Sequence, residues 1–463
     1  MRIIFLLISV LIVFSCRHEV KDSRIVAIDT FMEAQVKHFK FNGSVLVAEK
    51  GEVIYQKCFG LTDFETRQAL NDSSLFELAS VSKQFTATGI LLLKEKGKLQ
   101  LTDSLRMYFP ELPYHGITIH HMLTHTSGLP DYESTMAGKW DESKIAFNAD
   151  IIHFMATEKP PIHFKPGVKW EYSNTAFALL ASIIEKVSGK SFHDFMKENV
   201  FTPLNMKNSR VYNTRRSGEV IPNYAYGYVW NDSLKRFILP DSLPDLKIVY
   251  WLDGIQGDGI INSTATDLLR WDRAMVNHTL LTEESISQMT SHQSLMDTTS
   301  KYYYGYGVMV GENQFGKFVT HSGGWPGYAT NLSRYIDSDR TIIILSNNES
   351  ASSAISGSVA HILYGKPVQV SYEHKPIDLD SVALDAFTGS FKFKSSGINI
   401  IREKGELFRM YGTRRVKLLP ESDSRVYQTD GFDVYYEIEK DQQGKYKYYR
   451  IMYGVKDELE KVQ

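Results

Sequence analysis

Cysteine is nearly absent from this chain: two residues in 463, too few for a disulfide framework. The Gly-x-Ser-x-Gly pentapeptide is missing altogether, which removes the nucleophile-elbow class of serine hydrolases. Charge of one sign is missing too. Lys and Arg number 52 against 54 Asp and Glu, a net charge of −2, and no basic stripe offers a footing for nucleic acid. Internal repeats and low-complexity tracts are not evident. What remains is an ordinary globular composition, longer than the roughly 250–300 residues at which one hydrophobic core stops growing. One large domain and a smaller appended one are therefore expected.

The N-terminus reads as a targeting segment. Arg2 precedes an almost wholly apolar run, Ile3 to Phe14. That run falls short of the about 20 residues needed to cross a bilayer. It ends in Val13-Phe14-Ser15-Cys16, which resembles a bacterial lipobox, although Phe14 departs from the usual small residue. The expectation is a signal peptide over residues 1–15, cleavage before Cys16, and lipidation of the Cys16 thiol. The mature protein would then sit lipid-anchored in a bacterial cell envelope. Cys58 would be left as a free thiol inside an apolar strand pattern, a small core residue rather than a nucleophile.

The order of elements suggests an α+β fold. Lys21–Lys37 reads as an amphipathic helix, followed by a hairpin from Ser44–Ala48 and Val53–Tyr55. An apolar helix is expected from Ser82 to Lys94, further helices over Asn174–Val187 and Ser191–Val200, and a Thr264/Asp267 cap before Leu268. Strand patterns return at Tyr304–Val310, Phe315–Thr320, Ala329–Ile336 and Thr341–Leu345, with a helix over Ser353–Leu363. Two early strands and three or four late ones would make one antiparallel sheet flanked by helices, with the helical middle as an inserted subdomain. The main domain is expected over 16–365 and a linker over 366–376. A small all-β, barrel-like domain over 377–463 would contain strands near Leu384–Phe393, Ile398–Arg402, Leu407–Tyr411, Val434–Glu439 and Tyr446–Tyr453.

Three short motifs carry chemistry. In Ser80-Val81-Ser82-Lys83, Ser80 falls where a helix begins and Lys83 lies one turn on, on the same face. Serine needs a neighbouring base, and the apolar Phe76, Leu78, Ala79 and Phe85 argue against a solvated Lys83. In Tyr172-Ser173-Asn174, a phenol beside a lysine can move a proton, and Asn174 offers both a carbonyl and an amide. Ser173 and Asn174 also suit a plain helix cap in a surface turn. His321-Ser322-Gly323-Gly324 ends a strand pattern. Glycines there let a ligand approach the backbone, or mark an ordinary turn before Trp325-Pro326-Gly327.

Taken in this order, the motifs resemble the serine β-lactamase and penicillin-binding protein superfamily, in its class C-type branch. Supporting stretches are Thr118–Pro130, Gly257–Leu269 and His321–Gly327. The resemblance implies a β-lactamase/DD-peptidase-like fold over about residues 25–365, with Ser80 as nucleophile and Lys83 with Tyr172 as the proton-transfer pair. Asn174, His321, Gly323 and Gly324 would bind and orient substrate, and the backbone of Ser80 and Gly324 would hold the oxyanion. It implies small esters, amides, D-amino-acid peptides or peptidoglycan-derived substrates, and no cofactor or metal. His321 stands where β-lactamases carry lysine. A histidine near its ordinary 6.5 would bind carboxylates less firmly and should gain charge as pH falls towards 6. Arg334 is a second source of positive charge.

Two other readings stay open at this point. A penicillin-binding sensor would acylate and stall. A metallohydrolase would use His115, His120, His121 and His125, but no Glu lies between His121 and His125 as in a zinc-protease helix. Trp230, Tyr226, Trp251 and Trp325 are candidate pocket walls. Oligomeric state is not legible.

Overall fold

The computed structural model describes residues 22–299, 301–393 and 396–462. Residues 1–21, with the expected signal segment and Cys16, lie outside the described residues.

A run of four apolar residues, Ile342-Ile343-Ile344-Leu345, shows how the main domain is assembled. Successive strand residues point to opposite faces, so such a run belongs to a strand covered on both sides. Ile342 and Ile344 pack with Ile28, Phe31, Ile355 and Val359 of the helices Ser23–Phe39 and Ser352–Leu363. Ile343 and Leu345 pack the other way, into the core shared with Phe85, Leu91 and Trp271. The strand Arg340–Ser346 pairs antiparallel with Gly43–Glu49, joining the two ends of the domain. Among the described residues eight antiparallel strands form this sheet. In order they are Ser294–Asp297, Tyr302–Tyr304, Met309–Asn313, Gly316–Trp325, Tyr328–Tyr335, Arg340–Ser346, Gly43–Glu49 and Glu52–Phe59.

Two readings of the late strands need correction. The segment expected as one strand, Tyr304–Val310, is two strands folded back at Gly305–Val308, where Gly305 donates to the Val308 carbonyl at 2.8 Å. Gly307 adopts φ +71° there, a conformation a side chain resists. His321 to Gly324 do not end a strand. They lie inside Gly316–Trp325, paired from His321↔Leu332 to Gly324↔Ala329, and the reversal falls at Pro326-Gly327.

The helical middle carries the helices that aim the site. Ser173 caps Asn174–Ser188 by accepting from the Ala176 N–H at 3.1 Å, and Gly189 ends that helix at φ +74°. Thr264 caps Ala265–Val276 in the same way. Ser191–Val200 is a short helix, Phe192–Met196, continued by a wider π turn, Lys197–Phe201. Cys58 is half-buried against the core, and burial pushes its thiol up to about 11.

Residues 389–461 close into a barrel of eight strands whose interior is filled by Phe391, Ile400, Leu418, Val426, Tyr436 and Leu459. The stretch expected as a strand from Leu384 begins instead as a helical turn, Ser381–Asp385, and the strand starts at Gly389. Between the domains the chain is pinned rather than loose. Gln369 donates to the Gly454 carbonyl at 2.9 Å, and Gln35 of the first helix donates to Ser371, whose hydroxyl donates to Asp433. His374 stacks on Tyr427 with ring centroids 4.7 Å apart and holds Glu421 at 2.6 Å.

Candidate active site

Ser80 lies in a single 3-10 turn, Ala79–Ser82, that runs straight into the helix Lys83–Glu95. Ala79 sits at φ +47°, a strained conformation for a residue with a side chain, directly before the serine. Lys83 is fully buried. Its ammonium donates to Ser80 Oγ at 3.0 Å and to the Asp258 carbonyl at 2.7 Å. The segment carrying Asp258 is held tightly: Thr86 bonds the Gly257 carbonyl at 2.6 Å, and a Cβ on Gly257 would lie 2.5 Å from the Phe177 carbonyl.

Tyr172 lies beside this pair, its ring 4.9 Å from Lys83 Nζ. Its position is fixed from below by His125. The His125 carbonyl accepts from the Glu171 N–H at 2.9 Å, its Nδ1 accepts from the Ser173 N–H at 3.1 Å, and its ring packs on Tyr172 at 4.3 Å. Because Ser173 supplies the helix cap, Asn174 is free to face the cavity, where its amide donates to Glu133 Oε1 at 3.2 Å.

The glycine pair divides its work. Gly323 is buried against the serine turn, and a Cβ there would meet the Leu78 carbonyl at 2.1 Å and Thr330 Oγ1 at 2.4 Å. Only glycine lets the strand pass this close. Gly324 is exposed and lines the cavity with Ser80, Asn174 and Trp325. Of the other aromatic candidates, Trp230 lies elsewhere beneath Lys40, Trp251 is buried in the core, and Tyr226 packs on Tyr224.

His321 is not among the residues lining the cavity beside Ser80. It is 1% exposed, its Nε2 accepts from the Tyr304 hydroxyl at 2.9 Å, and its Nδ1 donates to the Ser322 carbonyl at 2.7 Å. Burial, then the nearby Lys83 charge, push it down to about 3. The expected gain of charge towards pH 6 is therefore corrected: both ring nitrogens are engaged and the ring is neutral throughout that range. Arg334 faces Asp272, 3.8 Å away, and is not among the residues lining the cavity.

The histidine cluster also resolves into separate partners. His121 caps its own helix through Thr118, His120 meets the Tyr306 hydroxyl at 3.1 Å, and His115 meets Arg106. Among the described residues no three His, Cys, Asp or Glu side chains converge as a metal site.

The motifs gave no sign of an acidic lining. The cavity beside Ser80, about 170 Å³, is walled by Glu77, Glu133, Asp253 and Asp258. Burial, then Asp131 and Asp258, raise Glu133 to about 7, against the opposing pull of Lys83 and Asn174. Burial and the neighbouring Glu77 raise Asp253 to about 7 as well. Asp258 is raised by burial although Lys83 and the Tyr132 hydroxyl, 2.7 Å away, favour its charge. These four residues are scattered along the chain, and no spacing links them.

A buried Ser–Lys pair beside a Tyr and a glycine-edged strand, between a sheet and a helical subdomain, defines a β-lactamase-type serine hydrolase. The comparisons agree: the chain belongs to the Beta-lactamase family, whose model matches residues 28–363. It is 41% identical over 411 residues to "Penicillin-binding protein 4*" of Bacillus subtilis (strain 168), covering 86% of this chain and 90% of that one. It is 24% identical to the "D-aminopeptidase" of Brucella anthropi, covering 87% of this chain and 74% of the relative. The octameric penicillin-binding protein homologue from Pyrococcus abyssi shares the fold over 94% of this chain and 100% of its own, with a TM-score of 0.67 at 23% identity.

Proposed function

We propose that the protein hydrolyses small amides and esters of amino-bearing acids, including D-amino-acid derivatives, through an acyl-enzyme on Ser80. The observation that carries this reading is the buried Lys83 ammonium 3.0 Å from Ser80 Oγ, with the Tyr172 ring at 4.9 Å. With the Lys83/Tyr172 pair holding one proton fewer than an ammonium plus a phenol, Ser80 Oγ attacks the carbonyl carbon while its proton passes to the basic member of that pair. The N–H groups of Ser80 and Gly324 hold the oxyanion. The pair returns the proton to the leaving nitrogen or oxygen as its bond to carbon breaks. Water then attacks the acyl-serine carbonyl, and Ser80 leaves with the proton restored.

The lining decides the substrate class. Glu133, Asp253 and Asp258 repel a carboxylate and favour an ammonium, and His321 supplies no compensating charge. Glu133 is hydrogen-bonded to Asn174 beside Ser80, which suits it to an α-ammonium next to the scissile carbonyl. The similarity to a D-aminopeptidase supports the same class. The test is a panel of D-alaninamide, short acyl esters, nitrocefin and a D-Ala-D-Ala peptide. Amides with a free ammonium should be turned over best. Nitrocefin hydrolysis at pH 8 that equals or exceeds them contradicts the reading.

The Ser15-Cys16 junction supports a lipid anchor in a bacterial envelope as the setting for this activity. Palmitate incorporation that disappears in Cys16→Ser is the expected outcome, and unlabelled wild-type protein contradicts it.

A further inference from the structure

The acidic lining divides by its hydrogen-bond partners: at the Glu133 end the carboxylate takes the Asn174 amide at 3.2 Å, whereas at the Asp253 end it shares the Asn213 amide with Glu77. The Glu133 end has a defined part in the reading above. The Asp253 end does not.

Asp253 is 2% exposed and lines the cavity. Its Oδ1 accepts from Asn213 Nδ2 at 2.7 Å, and the same amide reaches Glu77 Oε2 at 3.1 Å. Its Oδ2 is buried with no hydrogen-bond partner among the described residues. The nearby Arg215 does not fill that gap. It forms two 2.8 Å bonds to Asp241 and stands 3.8 Å from Asp253 on the Oδ1 side. One guanidinium thus serves three carboxylates, Asp241, Asp253 and Glu77, and the residue left with a buried unpaired oxygen is one that lines the cavity. A buried carboxylate oxygen without a donor is costly, and a ligand ammonium would supply the donor that the protein does not.

We propose that Asp253, backed by Glu77, is a specificity-determining residue that receives a cationic side chain of the substrate, making lysine- or ornithine-like D-amino-acid amides and esters preferred. Glu133 takes the α-ammonium and Asp253 the terminal one. The leucine and isoleucines that share this wall, Leu252, Ile255 and Ile260, suit the methylene stem between them. This inference rests on the hydrolase reading above, but its test separates the two.

D-lysinamide and D-norleucinamide share the four-carbon stem, and only lysine ends in an ammonium. The expected result is a kcat/KM for D-lysinamide about 10-fold or more above that for D-norleucinamide, the scale of one charge-assisted hydrogen bond. That ratio should collapse towards 1 in Asp253→Asn. Competitive inhibition of ester hydrolysis in the wild type needs no variant: pentylammonium should inhibit at lower concentration than 1-pentanol by a similar factor. Turnover of both amides with no lysine preference, or a preference unchanged in a folded Asp253→Asn, overturns this inference alone. Failure to hydrolyse any amide or ester overturns the hydrolase reading with it.

Discussion

At the seam between the linker and the barrel, Glu421 and Asp433 are buried with partners to hand: Glu421 takes His374 and the Tyr372 hydroxyl, and Asp433 takes Ser371 with His374 at 3.8 Å. In the cleft beside Ser80, Asp253 and Asp258 are buried and Glu133 is half-buried, and the three share too few cations. The consequences run in opposite directions. Burial works against His374's charge, yet the attraction of Asp433 and Glu421 outweighs it and raises the ring to about 9, while Glu421 is held low. In the cleft the carboxylates themselves are raised, to about 7 for Glu133 and Asp253. A paired cluster holds domains together. One beside a nucleophile, hydrogen-bonded but short of cations, carries raised carboxyls of the kind found at functional sites.

The largest effects should come from the proton-transfer pair. Lys83→Ala and Tyr172→Phe should each lower kcat by about 10³-fold or more, and the double variant should lose little beyond either single one, because residues acting as a unit are not additive. Additive losses in log kcat, read by steady-state kinetics, would show that the two work separately.

Glu133→Gln sharpens the contrast within the cleft. It should raise KM for D-alaninamide on the order of 10- to 100-fold while sparing a neutral ester. In the wild type, KM for the amide should fall as pH rises through about 7, where Glu133 ionises, until the substrate amine loses its own proton near about 8. The Gln variant should lose the lower limb of that profile. A neutral ester affected equally would remove Glu133 from ammonium binding.

At the seam, His374→Phe keeps an aromatic stack but leaves two carboxylates without their cation. Removing one partner of a buried pair costs about 3 kcal/mol or more, so thermal unfolding should shift down with hydrolysis of D-alaninamide intact below the transition. An unchanged melting curve would mean that the seam adds nothing.

The smallest effect is in the pH dependence of stability. A raised carboxyl stays protonated in the folded state after the unfolded chain has released its proton, so the cleft should cost stability as pH climbs from about 4 to about 7. His374, also raised, contributes fully below its ordinary 6.5, and that contribution is lost as pH passes about 9. Denaturant midpoints across pH should show the lower slope reduced in Asp253→Asn and the upper slope absent in His374→Phe. Identical slopes in all three proteins would break the comparison.

Much of this was legible in the residues, but unevenly. The helix after Ser80 and the sheet drawn from both chain ends follow from apolar periodicity, which survives folding because it is what the core demands. His321-Ser322-Gly323-Gly324 invited a turn because glycine usually breaks strands. Here Gly323 serves the crossing of a strand under Leu78 and Ser80, a long-range contact with no local signature. Histidine 321 could be located from its motif but not its charge, since burial beneath Tyr304 is a tertiary property. The acidic wall was invisible for the same reason: Glu77, Glu133, Asp253 and Asp258 are each unremarkable where they stand, and only the fold brings them together.

The central claim is that Ser80, activated by the buried Lys83, is the atom acylated. Treating the folded protein with a fluorophosphonate probe and mapping the adduct by mass spectrometry tests it directly. The account predicts one adduct, on the peptide bearing Ser80, and neither labelling nor turnover in Ser80→Ala. An adduct on another residue, or a Ser80→Ala protein that still hydrolyses D-alaninamide, would contradict it.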